Sequence, residues 1–206
     1  MRKYYFIDCG AHIGENIINF YSSLHDKHDV DQFEIIAFEP NFYLIEHLSK
    51  LTPFTEKNLK IIDKAVTTYD GFTEFRIGNL TASSSIMPTK KVWRLREKVD
   101  VPCVDFSRWL IDNTEEEDYV IVCFDIEGAE YDIIDSLFES GTINRINEFY
   151  VEFHGKKMKG FPMEREKKMV QDLIDHFDKD VYICNYHQNN LFHRLCSTQS
   201  KPKRPK

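Results

Sequence analysis

The stretch from Phe6 to Asn16 constrains the fold of this chain more than any other feature. A short apolar run ends in Asp8, a turn bounded by Gly10 and Gly14 follows, and helix-forming sequence begins at once. A strand, a tight turn and a helix in this order bring backbone N–H groups and a carboxylate together at the carboxyl end of a strand. Ligands bind at that edge of open α/β sheets, so the stretch predicts one wall of a binding site.

A second strand tip of the same kind follows further along the chain. The apolar run 35–38 ends in an acid, Glu39, which is followed by Pro40. Two such tips can together hold the ribose and the amino-acid end of one nucleoside-like cofactor. We expect Glu39 to accept hydrogen bonds from both ribose hydroxyls, and Asp8 to position the amides of the glycine turn.

The charge of the strand tips selects among cofactors. A dinucleotide fingerprint needs Gly-x-Gly-x-x-Gly, because its pyrophosphate lies close to bare backbone, whereas here Ala11 and His12 fill the gap between Gly10 and Gly14. Four carboxylates at predicted strand ends would repel a pyrophosphate: Asp8, Glu39, Asp125 and Glu127. These carboxylates suit S-adenosylmethionine, which has no phosphate and carries a sulfonium and an ammonium. We expect Glu127 to bind the ammonium. An NAD-dependent oxidoreductase is the alternative that this pattern disfavours.

Strand-like and helix-like segments alternate along the chain, which predicts a parallel, doubly wound α/β sheet with helices on both faces. The predicted strands lie near residues 4–8, 34–39, 59–66, 119–125, 147–153, 180–185 and 191–196. The last two are close together, so we expect an antiparallel hairpin at the sheet edge. The less regular segment 67–104 is interpreted either as a lid or as a surface excursion. One domain is predicted over residues 1–198, followed by a disordered basic tail over 199–206.

Four motifs, taken together, resemble the FkbM family of O-methyltransferases. They are Asp8-x-Gly10-Ala11-x-x-Gly14, Phe38-Glu39-Pro40-Asn41, Asp125-Ile126-Glu127-Gly128-Ala129-Glu130 and Glu152-Phe153-His154-Gly155. The resemblance runs from about Tyr4 to about Gly155, with a family-like tail to about Cys196. It implies a seven-stranded, Rossmann-like methyltransferase sheet, dependence on S-adenosylmethionine, and methylation of a hydroxyl on a small molecule such as a sugar or glycan.

The resemblance also implies a set of cofactor-binding residues. These are Asp8, Gly10, Ala11, Gly14, Glu15, Asn16, Glu39, Pro40, Asn41, Ala65, Asp125 and Glu127. Similar proteins usually carry helical sequence before the first strand, whereas this chain reaches that strand by Tyr4. We therefore expect either a minimal version of the domain or a domain cut from a longer protein, one fused to or working with glycosyltransferases.

Methyl transfer to an alcohol is an in-line displacement that is helped by a base, because the hydroxyl is a poor nucleophile until its proton leaves. His154 is the predicted general base, since it follows the fifth strand and titrates near neutral pH. Glu152 lies two positions earlier, on the same side of the strand, and is expected to orient or charge the imidazole. Asp125 at the neighbouring strand tip completes the predicted catalytic set.

A metal site is the alternative use of these three residues. Asp125, Glu152 and His154 would offer ligands for Mg²⁺, which could orient and acidify an acceptor hydroxyl. Mg²⁺ prefers oxygen ligands, and only three ligands converge, one of them histidine. The sequence therefore predicts that no metal is required.

The bulk composition excludes several classes of function. The net charge of −7 over 206 residues argues against a nucleic-acid partner, particularly since the tail is basic and the body therefore more acidic still. The five cysteines form no Cys-x-x-Cys, which indicates buried thiols in a reducing compartment and a cytoplasmic location. No apolar run is long enough to span a membrane. A methyltransferase-like binding domain without catalysis is the second alternative, which the complete motifs disfavour.

Overall fold

Strands and helices alternate through the parts of the chain that the computed structural model describes, namely residues 2–24, 28–51, 58–92 and 94–185. The strands are β1 (Tyr4–Cys9), β2 (Phe33–Phe38), β3 (Leu59–Ile62), β4 (Ala65–Thr67), β5 (Gly71–Gly78), β6 (Leu95–Asp105), β7 (Tyr119–Phe124), β8 (Glu148–Phe153) and β9 (Val181–Asn185). The helices are α1 (Glu15–Leu24), α2 (Phe42–Leu48), α3 (Phe106–Asn113), α4 (Glu130–Ser140) and α5 (Met163–Phe177).

Six of these strands form one parallel sheet in the order β3-β2-β1-β7-β8-β9. After β1 the chain adds β2 and β3 on one side of it, and it later adds β7, β8 and β9 on the other side. The strand order therefore reverses between β1 and β7. Their register sets Cys9 beside Phe124, and both strands end there. Such a reversal opens a crevice at the carboxyl ends of the strands, which is where the predicted site residues lie.

The sheet is covered on both faces, which explains why its strands are almost continuously apolar. Successive residues of β1 alternate between two cores: Ile7 belongs to the core that includes Leu137 of α4, and Phe6 to the core that includes Phe20 of α1. The Phe6 and Phe20 rings stack with centroids 4.1 Å apart. Each large apolar side chain buried in this way contributes about 1.5–3 kcal/mol to the stability of the fold. Packing on both faces therefore holds β1, and the strand end that carries the predicted site residues, in a fixed position.

The structure confirms the α/β class and the parallel sheet but corrects one detail. The strand predicted near 59–66 is two strands, because a turn at Lys64, whose N–H donates to the Ile62 carbonyl, sends β4 into a separate sheet of order β4-β6-β5. The described main sheet has six strands where seven were predicted. β9 pairs with β8 in parallel, and the segment 191–196 that would complete the predicted hairpin lies outside the described residues, as does the tail 199–206.

None of the helices in the described ranges combines the length and the apolar character needed to cross a membrane.

Candidate functional site

A cavity of about 670 Å³ opens at the carboxyl ends of β1, β2, β7 and β8, within the size range of small-molecule sites. Its walls include ten of the residues predicted from sequence: Gly10, Ala11, Glu15, Asn16, Glu39, Pro40, Ala65, Asp125, Glu127 and Glu152. Four other predicted residues are buried and do not line it: Asp8, Gly14, Asn41 and His154. The sheet therefore brings most of the predicted residues to one place.

The glycine turn is bound to the rest of the sheet through its own amides. The N–H groups of Gly10 and Ala11 both donate to the Phe38 carbonyl at 3.0 Å. Gly10 has a φ of +88°, and a Cβ at this position would overlap the carbonyl oxygen of Asp125, so only glycine fits. Because these amides are satisfied within the protein, they are not available to hold a pyrophosphate, which weighs against the dinucleotide alternative.

Glu39 joins the glycine turn to the tip of β2. Its carboxylate accepts the N–H of His12 at 2.8 Å and the N–H of Asn41 at 2.7 Å. The side chain is almost fully buried, yet it borders the cavity. Burial raises the pKa of Glu39 to about 7, and the two backbone hydrogen bonds oppose that rise.

Asp8 is completely buried behind the glycine turn. One of its oxygens accepts a hydrogen bond from the Asn16 side chain at 3.3 Å, and the other has no hydrogen-bond partner among the described residues. Burial raises the pKa of Asp8 to about 8. The contact with Asn16 ties β1 to the first turn of α1, so Asp8 meets a side chain of the helix where contact with the turn amides was predicted.

Three carboxylates surround the imidazole of His154. The Nε2 atom lies 3.5 Å from an oxygen of each, and these belong to Asp125, Glu127 and Glu152. The His154 side chain is fully buried, so the carboxylates stand between it and the cavity. On the other side of the ring, Nδ1 lies 3.2 Å from Glu130, which also accepts the His154 backbone N–H at 2.8 Å.

This arrangement shifts the pKa values of two of the groups. Burial lowers the pKa of His154, but the carboxylates of Glu130 and Asp125 outweigh it, so the value lies above that of free histidine. Burial and the nearby Asp125 raise the pKa of Glu152. Both groups therefore hold a proton more firmly than the free side chains do, and shifted pKa values of this kind are common at catalytic sites.

Lys90 is one of the site residues that sequence reasoning missed. Only 1% of it is exposed, and its ammonium forms an ion pair with Glu127. Burial and the nearby Lys157 lower the pKa of Lys90 to about 8. Lys90 and Lys91 were visible in the sequence as a basic patch, but the burial of Lys90 depends on a backbone bridge to Met158, far along the chain.

The loop 79–86 covers the cavity. The His12 Nε2 atom in the glycine turn lies 2.7 Å from the Thr81 hydroxyl, and the Ser85 hydroxyl donates to the Glu127 carbonyl at 2.7 Å. The loop thus bridges the turns that follow β1 and β7. Its position is the one expected of a lid or substrate loop for residues 80–86, while β5 and β6 of the segment 67–104 belong to the separate sheet.

The parallel sheet, its reversal between β1 and β7, and the cavity at that point define a Rossmann-like methyltransferase fold. The model of the Methyltransferase FkbM domain matches residues 8–187, and the chain belongs to this family of methyltransferases. A comparison with curated proteins gave no match. S-Adenosylmethionine is the typical cofactor of such methyltransferases.

Proposed function

We propose that this protein is an S-adenosylmethionine-dependent O-methyltransferase that acts on a hydroxyl of a sugar or glycan. The observation that carries the proposal is the chemistry of the glycine turn and the strand tips, which offer carboxylates and satisfied amides where a phosphate-bearing cofactor would need bare N–H groups. Membership of the methyltransferase family supports the reaction class.

The cavity, of about 670 Å³, would have room for S-adenosylmethionine, and carboxylates on its wall would face the positive groups of that cofactor. Glu39 would accept the ribose hydroxyls, because a carboxylate has about four acceptor sites and its two backbone bonds leave sites for a ligand. Glu15 and Asn16 at the start of α1, and Ala65 beyond β3, would line the remainder. When bound, S-adenosylmethionine supplies a methyl group on a positively charged sulfur.

We assign the proton of the acceptor hydroxyl to the Glu152 carboxylate. Glu152 lines the cavity and can meet a substrate directly, and its raised pKa makes it a stronger base than an ordinary glutamate. His154, the base that the sequence predicts, lies 3.5 Å behind it. In this proposal His154 supports Glu152 and its neighbours rather than contacting the substrate.

Hydroxyl and ammonium groups on the lid side of the cavity favour a polyhydroxyl acceptor. They belong to Thr81, Ser83, Ser84, Lys90 and Lys91. A glycan acceptor would place this enzyme after, or beside, glycosyltransferases. Free buried thiols at Cys9, Cys103 and Cys123 accord with the reducing, cytoplasmic environment expected from the sequence.

The test is transfer of a labelled methyl group from S-adenosylmethionine to a panel of mono- and oligosaccharides, with calorimetry of cofactor binding alongside. We expect binding of S-adenosylmethionine and its demethylated product, no binding of NAD, and label in at least one sugar. Binding of NAD in their place would support the oxidoreductase. Cofactor binding with no transfer to any acceptor would support the non-catalytic binding domain.

A further inference from the structure

The protein atoms alone do not satisfy the hydrogen-bonding capacity of His154 Nε2. The nitrogen is buried and has no hydrogen-bond partner among the described residues. Three carboxylate oxygens, from Asp125, Glu127 and Glu152, converge on it at equal distances of 3.5 Å.

One proton does not satisfy this arrangement. The hydrogen bond between Nδ1 and the acceptor-only carboxylate of Glu130 requires that Nδ1 carry a hydrogen. An additional proton on Nε2 would point in one direction in the ring plane, whereas three carboxylates compete for it at a distance too long for a good hydrogen bond. A cation coordinated by several of these atoms at once would satisfy them together.

We propose that a divalent cation binds between Asp125, Glu127 and His154. The ligand atoms of these three residues all lie within 4.8 Å of one another, a spacing that one metal ion can bridge. Glu130 occupies the position of the outer carboxylate that commonly fixes a metal-bound histidine by its other ring nitrogen. Two carboxylates favour a hard cation and the imidazole favours a transition metal, so Mn²⁺ is the ion that best meets both preferences.

This ligand set differs from the one considered from sequence alone. The sequence argument placed the metal alternative at Asp125, Glu152 and His154 and disfavoured it because only three ligands converged. The structure also brings three protein ligands together, but Glu127 takes the place of Glu152, and the turn after β7, with Gly128 at a φ of +111°, brings Glu127 to 3.5 Å from His154 Nε2. The ammonium of Lys90 contacts the other oxygen of Glu127, whereas that of Lys157 lies 3.6 Å from the oxygen that faces the imidazole, so a bound cation would compete with Lys157.

A role for the cation in the reaction rests on the proposed function. Three protein ligands leave coordination positions open toward the cavity, because Asp125 and Glu127 both line it. An acceptor hydroxyl bound there would be oriented and acidified, and its proton would pass to Glu152, which also borders the cavity. The oxygen would then form the new bond to the methyl carbon as the carbon–sulfur bond breaks.

The direct test is Mn²⁺ binding to the purified full chain, measured by loss of the free-ion electron paramagnetic resonance signal without any substrate. We expect saturable binding with a stoichiometry of one. Asp125→Asn, a change at a partly exposed side chain, and His154→Gln should each weaken binding by at least about tenfold, and Glu130→Gln by about 10–100-fold. Glu116→Gln, at an exposed acid in the loop before β7, is the control and should leave binding unchanged.

Absence of Mn²⁺ binding, or binding that all four variants share, would overturn the site. Circular dichroism establishes that each variant folds, and Asp125→Asn remains decisive if the buried changes do not fold. Mn²⁺ binding without methyl transfer to any acceptor leaves the metal site standing and counts against the proposed function. Undiminished methyl transfer in EDTA, together with no Mn²⁺ binding, would support the proposed function and overturn the metal site.

Discussion

Replacing Glu39 by alanine tests the cofactor side of the site. In the structure this carboxylate accepts two backbone N–H groups, from His12 and Asn41, and borders the cavity. A hydrogen bond to a charged group is worth about 1.5–3 kcal/mol. Loss of the ribose contact should therefore weaken binding of S-adenosylmethionine and its demethylated product by about 10–150-fold.

The same change also affects the fold, and the two effects must be separated. The N–H of Asn41 loses its acceptor in a buried position and that of His12 in a partly buried one, so the free energy of unfolding should fall by about 1–3 kcal/mol for the first and by less for the second. Asp105→Ala provides a matched control, because it removes the N-cap bond to Arg108 at the start of α3, away from the cavity. It should cost about 1 kcal/mol of stability and leave cofactor affinity unchanged.

Calorimetric titration at a temperature where each variant is folded gives the affinity, and urea unfolding gives the stability. Glu39→Gln keeps one acceptor oxygen and should show a smaller loss of both, which covers the case in which the alanine variant does not fold. A folded Glu39→Ala protein that binds the cofactor with wild-type affinity would refute the ribose assignment.

Three further perturbations test other parts of the site. Asp8 has a folded-state pKa of about 8 against an ordinary value of 3.8, so the native state binds the extra proton. The free energy of unfolding should therefore fall as pH rises from about 4 to about 8, and a pH series of urea unfolding on Asp8→Asn should show a shallower slope, the remainder coming from groups such as Glu39, whose pKa is about 7. Glu152→Gln, assayed with Mn²⁺ supplied, should lower the methyl-transfer rate by about 10²–10⁴-fold without changing cofactor affinity, and it should abolish a rise in rate with pH; a retained rate and pH profile would place the base elsewhere. Thr81→Val removes the bond between the lid and His12, so calorimetry should show cofactor affinity reduced by about 0.5–1.5 kcal/mol, and an unchanged affinity would mean that the lid contact plays no part in binding.

The parts of the site that the sequence predicted are those encoded within short segments. The strand, turn and helix that contain Asp8, Gly10 and Asn16 lie within one local stretch, and neighbouring parallel strands necessarily bring Glu39 and Asp125 to the same edge. The resemblance to the family adds Ala65 and Glu152, which also line the cavity wall in the structure. Local pattern and sheet geometry together therefore specify most of the wall.

The remainder depends on pairings between distant segments, which a single sequence does not reveal. Whether the residues 65–67 continue the main sheet or join a second one is decided by their pairing with β6. Lys90 is buried because its neighbours, Thr89 and Lys91, form backbone hydrogen bonds with the segment 157–159. A lysine doublet resembles a solvent-exposed patch until that pairing is known, so its contact with Glu127 was not foreseen.

The side chain of His154 shows why spacing rules fail at the end of a strand. Residues two positions apart point to the same side only while the backbone stays extended, and β8 ends at Phe153. His154 has φ −114° and ψ 14°, so it leaves the strand and turns toward Glu130. That carboxylate also accepts the N–H groups of His154 and Gly128, and it therefore fastens the turn after β8 to the turn after β7. From sequence, Glu130 reads as a favourable charge at a helix N-terminus; in the fold it determines which way the histidine ring faces, and with it whether Nε2 meets a substrate or a cation.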